Sequence, residues 1–170
     1  MVRSYFALQI NIYYMNYFSI RKKILRRLFH FLPNVHSRSW CLKKMGVCVG
    51  KNVGIPSDLY ISDRSTDKNL LIIEDRVEIA AGCKIITTTG PKFSLLKTVY
   101  PIIAEKVIIK NDVWIGTNVV ILQGVTIGEY SIIGAGCVVD RDIPPFSVTS
   151  GNPIEIKQMP KSFIKRIKTS

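Results

Sequence analysis

Only two side chains of this chain titrate near neutral pH by default, His30 and His36, and no histidine follows residue 36. An imidazole can take a proton from an attacking group, but a bound zinc would need a cluster of histidine and cysteine ligands that the sequence lacks, so no metal is expected. The four cysteines, Cys41, Cys48, Cys83 and Cys137, show no C-x-x-C spacing. They read as buried thiols of a reducing compartment, not as ligands or a disulfide framework. Threonine hydroxyls do not usefully accept a proton near neutral pH, so proton transfer without histidine falls to carboxylates. Any such group has to be held by a scaffold, and the scaffold is written in the spacing of apolar residues.

From Ile109 to Pro144 the chain divides into six hexads, IKNDVW, IGTNVV, ILQGVT, IGEYSI, IGAGCV and VDRDIP, each opening on an aliphatic residue. A period of six fits neither the three-and-four spacing of an amphipathic helix nor plain strand alternation. It is one third of the coil of a parallel β-helix with triangular cross-section, an all-β solenoid in which each hexad makes one short face and one corner. Ile109, Ile115, Ile121, Ile127, Ile133 and Val139 then point inward, as do the fifth residues Val113, Val119, Val125, Ser131, Cys137 and Ile143. Gly116, Gly128 and Gly134 stand at second positions, where the tight corners are expected because glycine turns at least cost. The same frame recurs upstream, in phase, at Val49, Ile55, Ile61, Ile73, Ile79 and Ile85. Between Ile85 and Ile109 the stretch TTTGPKFSLLKTVYPIIAEK abandons it, so a loop over 87–106 is expected to leave the wall, and long loops on rigid scaffolds commonly carry function.

A length of 170 residues with 47% hydrophobic content fits a single domain with an appendage. The formal charge of +12 is unevenly spread, since residues 1–51 hold ten Lys/Arg and no Asp or Glu. The domain limits read as a basic arm over 1–46, a β-helix over 47–156 and a basic tail over 157–170 that ends in a short helix. In YFSIRKKILRRLFHF, placed on a helix, positions 17, 20/21, 24, 28 and 31 form one apolar side among Arg21, Lys22, Lys23, Arg26 and Arg27. Such a helix suits an anionic membrane surface; it equally suits the open end of a solenoid, whose core needs a cap. No nucleic-acid module accompanies the charge, so no nucleic-acid partner is expected. The apolar stretch near the start runs about fourteen residues against the roughly twenty of a spanning helix, and it lacks the marks of a signal peptide. The expected location is the cytoplasm, with contact at the inner-membrane surface through the arm.

The segment NDVWIGTNVVILQGVTIGEYSIIGAGCVVDRDIPPFSVTSGNPIEI, with its D-V-W-I-G, I-G-A-G-x-V-V and G-N-P runs, resembles the hexapeptide-repeat acyltransferases, in their sugar and serine O-acetyltransferase branch. The resemblance covers about 47–158 and implies a left-handed parallel β-helix, a homotrimer with sites between neighbouring solenoids, and acetyl-CoA as cosubstrate. It places Trp114 beside the pantetheine arm, and the main chain of Gly116, Thr117, Gly134 and Ala135 close to the arm and thioester. Arg141 and the tail beyond Gly151, Asn152 and Pro153 would then meet the cosubstrate's phosphates.

The resemblance also implies a histidine that deprotonates the acceptor hydroxyl. Thr88, Thr89 or Gly90 stands in its place. A general base is worth about 10²–10⁴-fold, and its loss falls mainly on hydroxyls, because an unprotonated amine is already a nucleophile. Replacement bases are Asp63, on the coil where relatives place a polar group against the acceptor, Glu78, and His36 if the arm folds across a cleft. The expected function is acetyl transfer from acetyl-CoA to a sugar or a nucleotide-linked sugar, with an amine or a hydroxyl as the acceptor group, in bacterial surface polysaccharide biosynthesis. The alternative is a catalytically silent trimeric scaffold.

Overall fold

Every hexad-opening residue named above, from Val49 to Val139, is 9% exposed or less in the computed structural model, which describes residues 17–169. The fifth-position residues Val113, Val119, Val125, Ser131, Cys137 and Ile143 are buried with them. Each Val or Ile so buried contributes about 1.5–3 kcal/mol. Ser131 is satisfied in that interior by donating to the carbonyl of Pro144 at 2.9 Å. Of the cysteines, Cys41, Cys83 and Cys137 are buried thiols, but Cys48 is exposed, because it precedes the inward residue Val49.

Three parallel sheets make the faces of the coil. The first face stacks Cys48–Val49, Leu71–Ile73, Val107–Ile109 and Thr126–Ile127. The second stacks Glu78–Ile79, Trp114–Ile115, Ile132–Ile133 and Ser147–Ser150, and the third Tyr60–Ser62, Lys84–Ile86, Val120–Ile121 and Val138–Val139. In the later coils stacked partners are 18 residues apart, Trp114 with Ile132 for example. Tyr60 and Lys84 are 24 apart, and Lys84 and Val120 are 36 apart. Six extra residues thus leave the wall after Ser62 and eighteen after Ile86. Both leave at the corner between the third and first faces, on adjacent coils. The larger excursion contains a short antiparallel pair, Thr88–Thr89 with Ile103–Ala104, and a 3-10 turn over Leu95–Thr98.

The corners are not built as the glycine spacing suggests. Left-handed backbone occurs at the fourth position of eight of the hexads, at Asn52, Arg76, Gly82, Asp112, Asn118, Gly124, Tyr130 and Gly136. The second-position glycines have ordinary φ and answer a different need, close approach of successive coils. A Cβ on Gly116 would lie 2.8 Å from the amide nitrogen of Ala135, and one on Gly134 would lie 2.7 Å from the carbonyl oxygen of Thr149.

The arm covers the first coil. Helix α1 (17–29) leads to α2 (Val35–Lys44), whose N-cap Asn34 accepts from the amide of Ser37 at 2.9 Å and whose last turn carries Lys43 and Lys44. Phe29, Cys41, Leu42 and Met45 join the core, with Leu25 and Leu32 packed against it. The inward side of α1 is therefore 22, 25 and 29, while Tyr17, Ile20, Ile24, Leu28 and Phe31 face outward. The sequence pattern singled out the second set. Lys22 decides the rotation: it is 1% exposed, and its Nζ donates to the carbonyls of Arg64 (3.1 Å) and Asp67 (2.7 Å) and pairs with Asp63 at 2.5 Å. A buried ammonium is tolerable only with such partners, so this face cannot turn outward cheaply. The apolar opening of the arm lies mostly among residues 1–16, outside the described ones. At the far end Glu155–Gln158 pairs antiparallel with Ser147–Ser150, and α3 (Lys161–Lys168) follows.

The close approach of coils is testable at Gly128, where an added Cβ would meet the Pro144–Pro145 backbone, 2.7 Å from the Pro144 carbonyl carbon. Gly128→Ala is expected to cost about 1–3 kcal/mol by overpacking and to lower Tm by several degrees. Gly136→Ala meets no atom within 4 Å and is opposed only by its φ of +72°, so thermal melts should rank it as the milder change.

Candidate functional site

The two excursions from the wall and helix α1 enclose a cleft of about 660 Å³. The six-residue excursion contributes Asp63, Arg64, Ser65 and Thr66, the longer one Thr88, Thr89, Gly90, Lys92 and Ile102, and α1 Lys23 and Arg26. Asp63 is nearly buried, and both its oxygens are engaged: Oδ2 by Lys22 and Oδ1 by Arg26 in a short contact.

Asp67 is the residue that the sequence reading passed over. It occupies the hexad-opening phase between Ile61 and Ile73, where the frame calls for an aliphatic residue, and that misfit was the available signal. Thr88 Oγ1 donates to its Oδ2 at 2.7 Å, the Arg64 amide donates to the same oxygen at 2.8 Å, and Arg64 Nε donates to Oδ1 at 3.0 Å. Burial alone would push this carboxyl up, but the Thr88 and Arg64 hydrogen bonds and the guanidinium charge together outweigh it and hold the group below the ordinary carboxylate value. Thr88 is thereby buried and committed, whereas Thr89 and Gly90 are exposed. Gly90 has φ +148°, and a Cβ there would lie 2.8 Å from the Cα of Ile102, so position 90 cannot host an imidazole without moving backbone.

The remaining candidate bases lie elsewhere. His36 lines a separate cavity with Trp40, Lys43 and Lys51. The His30 ring Nδ1 is 2.8 Å from the carbonyl oxygen of Ser57. Glu78 stacks beside Trp114 on the second face. Among the described residues no histidine lines the cleft, and no group of three His, Cys, Asp or Glu is placed to hold a metal.

The structure does bring together the second set of candidates. Trp114, 54% exposed, lies directly below Ile132, so Gly116 and Thr117 run below Gly134 and Ala135 along the corner between the second and third faces. Gly116 N donates to Ile133 O at 2.8 Å, and Gly136 N to Thr117 O at 2.8 Å. Small residues repeated at one corner leave a strip of accessible main chain with an indole at its edge. Arg141, further along the coil, donates to the carbonyl of Ile154 at 2.9 Å and so ties the last hexad to the C-terminal segment.

Residues 106–141 match the family model described as bacterial transferase hexapeptide (six repeats). The chain is 33% identical over 138 residues to galactoside O-acetyltransferase of Escherichia coli (strain K12), covering 80% of this chain and 66% of that protein. It superposes on a galactoside acetyltransferase in complex with coenzyme A with a TM-score of 0.66 and 30% identity, covering 85% of this chain and 81% of that one. The chain belongs to the hexapeptide-repeat acetyltransferases. A maltose O-acetyltransferase structure from Clostridium difficile 630 aligns with a TM-score of 0.63 at 28% identity over 85% of this chain and 87% of its own. This hexapeptide-repeat protein spans about two thirds of the Escherichia coli relative's length and 54% of that of galactoside O-acetyltransferase from Lactococcus lactis.

The depressed carboxyl of Asp67 gives a pH-dependent stability. A group whose folded pKa lies below its unfolded value, about 3.9 for Asp, stabilises fully above that value and loses the contribution as pH falls through the folded pKa. Asp67→Asn is therefore expected to flatten the acid limb of the stability curve below about pH 4. Acid titration followed by circular dichroism checks it; an unchanged limb would mean that Asp67 is not held low.

Proposed function

We propose that this chain is an acetyl-CoA-dependent acetyltransferase acting on a sugar or nucleotide-linked amino sugar, working as a homotrimer of left-handed β-helices. The observation that carries the reading is the joint presence of a cleft walled by two in-phase excursions and a small-residue corner edged by Trp114. That corner suits an extended thioester arm, because Gly116 and Gly134, whose amides already donate to the next coil, put no side chain in the way, and the exposed Thr117 and Ala135 bring main chain to the surface beside them. Trp114 packs on the arm, and Arg141 with the basic tail meets the phosphates. The exposed apolar excursion at Phe93, Leu95, Val99 and Tyr100 supplies surface for a neighbouring copy in the trimer. Bacterial surface polysaccharide synthesis is the setting that such an acceptor and a basic arm fit.

With no described histidine in the cleft, the chemistry favours an amine. The amine nitrogen attacks the thioester carbonyl, the C–S bond breaks, and the proton released from nitrogen goes to the departing thiolate. Asp63, already accepting from Lys22 and Arg26, acts as a positioning group. The competing reading, a silent scaffold, is favoured by that same engagement of Asp63. Thiol release from acetyl-CoA separates the two: amino sugars should be turned over about 10²-fold or more better than hydroxyl-only sugars, with rates rising as the amine deprotonates. Thr89→His, at an exposed position with room for a ring, should help hydroxyl acceptors more than amines. Absence of both turnover and acetyl-CoA binding would leave the scaffold, and a monomer by light scattering would overturn the trimer.

The outward stripe Tyr17, Ile20, Ile24, Leu28 and Phe31, flanked by exposed Lys23 and Arg27, supports peripheral contact of a cytoplasmic enzyme with an anionic inner-membrane surface. No helix among the described residues is long and apolar enough to cross a membrane. Flotation with phosphatidylglycerol vesicles should succeed for the full chain and fail for Ile24→Glu/Leu28→Glu, at unchanged melting temperature. Equal flotation of both would overturn the contact.

A further inference from the structure

The cleft beside Thr89 is lined by hydrogen-bond donors of unusual uniformity. Four cations reach it from three separate elements: Lys23 and Arg26 from α1, Arg64 from the six-residue excursion and Lys92 from the longer one. One carboxylate faces them, Asp63, and its two oxygens already accept from Lys22 and Arg26. Arg64 spends part of its guanidinium on Asp67, yet its side chain remains 54% exposed. Among the described residues the other polar lining groups are hydroxyls, and the lining contains no aromatic ring, no Asn or Gln and no Glu.

A neutral sugar needs acceptors for its hydroxyl protons and commonly a flat apolar face for its ring. This cleft has hydroxyl acceptors but no aromatic face among the described residues, and its cations outnumber its carboxylates. A phosphate or carboxylate, which only accepts, needs what the cleft has in excess. The charge is not merely that of the basic arm, because Arg64 and Lys92 belong to the part of the chain where basic and acidic residues nearly balance.

We infer that the acceptor is an anionic sugar, carrying a phosphate or carboxylate that Lys23, Arg26, Arg64 and Lys92 hold while the reacting group lies toward Thr89. This rests on the acetyltransferase reading and names the substrate class of that site. Lys23 and Lys92 are the residues to change, since neither forms an ion pair among the described residues, and their loss strands no buried carboxylate; Lys92 only overlies the Phe93 ring at 5.2 Å.

The test uses the full chain, with inorganic pyrophosphate as probe and coenzyme A at saturation to occupy the cosubstrate's own phosphate subsites. Calorimetry should show pyrophosphate binding that persists under coenzyme A, weakens with added salt, and weakens about tenfold or more in Lys23→Gln/Lys92→Gln at unchanged Tm. Displacement of pyrophosphate by coenzyme A would assign these cations to the cosubstrate and overturn the inference. So would no binding, or binding indifferent to the double variant. A second arm compares glucosamine with glucosamine 1-phosphate in thiol release: where turnover occurs, the phosphate ester should lead by at least tenfold in kcat/KM, and the lead should collapse in the double variant. Equal use of both sugars would overturn the anionic acceptor while leaving acetyl transfer standing. Failure to bind acetyl-CoA would instead sink the acetyltransferase reading, with calorimetry still deciding whether the cleft holds anions.

Discussion

The parallel stacking of coils constrains everything else in this molecule. A residue on one coil hydrogen-bonds to the residue above it only if the chain returns in the same phase, and a slip of one residue would turn an inward isoleucine toward solvent. Partners 18 residues apart satisfy this in the regular coils, and partners 24 and 36 apart satisfy it where the wall is interrupted. Both interruptions are whole numbers of hexads, so Ile73 and Ile109 resume the interior after them with negligible exposure. The core therefore tolerates excursions of any chemistry, provided that each begins and ends at the same corner.

That freedom is used at one corner on two successive coils, and the arm converts the result into an enclosed space. Lys22 is the pivot, since its ammonium joins Asp63 and the carbonyls of Arg64 and Asp67, all on the smaller excursion. Breaking a buried pair by removing one partner typically costs about 3–5 kcal/mol. The position of α1, and with it the placement of Lys23 and Arg26 over the cleft, thus follows from a contact that contributes no surface of its own. Thr88 works in the same indirect way, holding the larger excursion to the smaller through Asp67.

The inward positions of the solenoid were legible because a period of six is set by geometry and repeats many times, so Ile109 through Val139 report the same fact independently. The corners were less so. Glycine at positions 116, 128 and 134 marks contact between coils that are distant in sequence, whereas the left-handed residues include Arg76 and Tyr130, types that do not announce a turn. The rotation of α1 was hidden for a comparable reason, since its outer stripe is more apolar than the side holding Lys22 and only the partners of that lysine reveal which side is buried. At the site, Trp114 and the glycine corner follow from the repeat, while the commitment of Asp63 and Asp67 depends on side chains from other elements that no local pattern encodes.

The antiparallel strand Glu155–Gln158 has a consequence for assembly. A bare final coil would present the Ser147–Ser150 edge as a template for the first coil of another molecule, and coils of identical period would continue one another into a fibre. A strand running the opposite way occupies that edge, and the far end is closed by α1 and α2. Continuation of this face by another molecule is blocked at the edge that the antiparallel strand occupies, and at the other end the arm lies over the first coil.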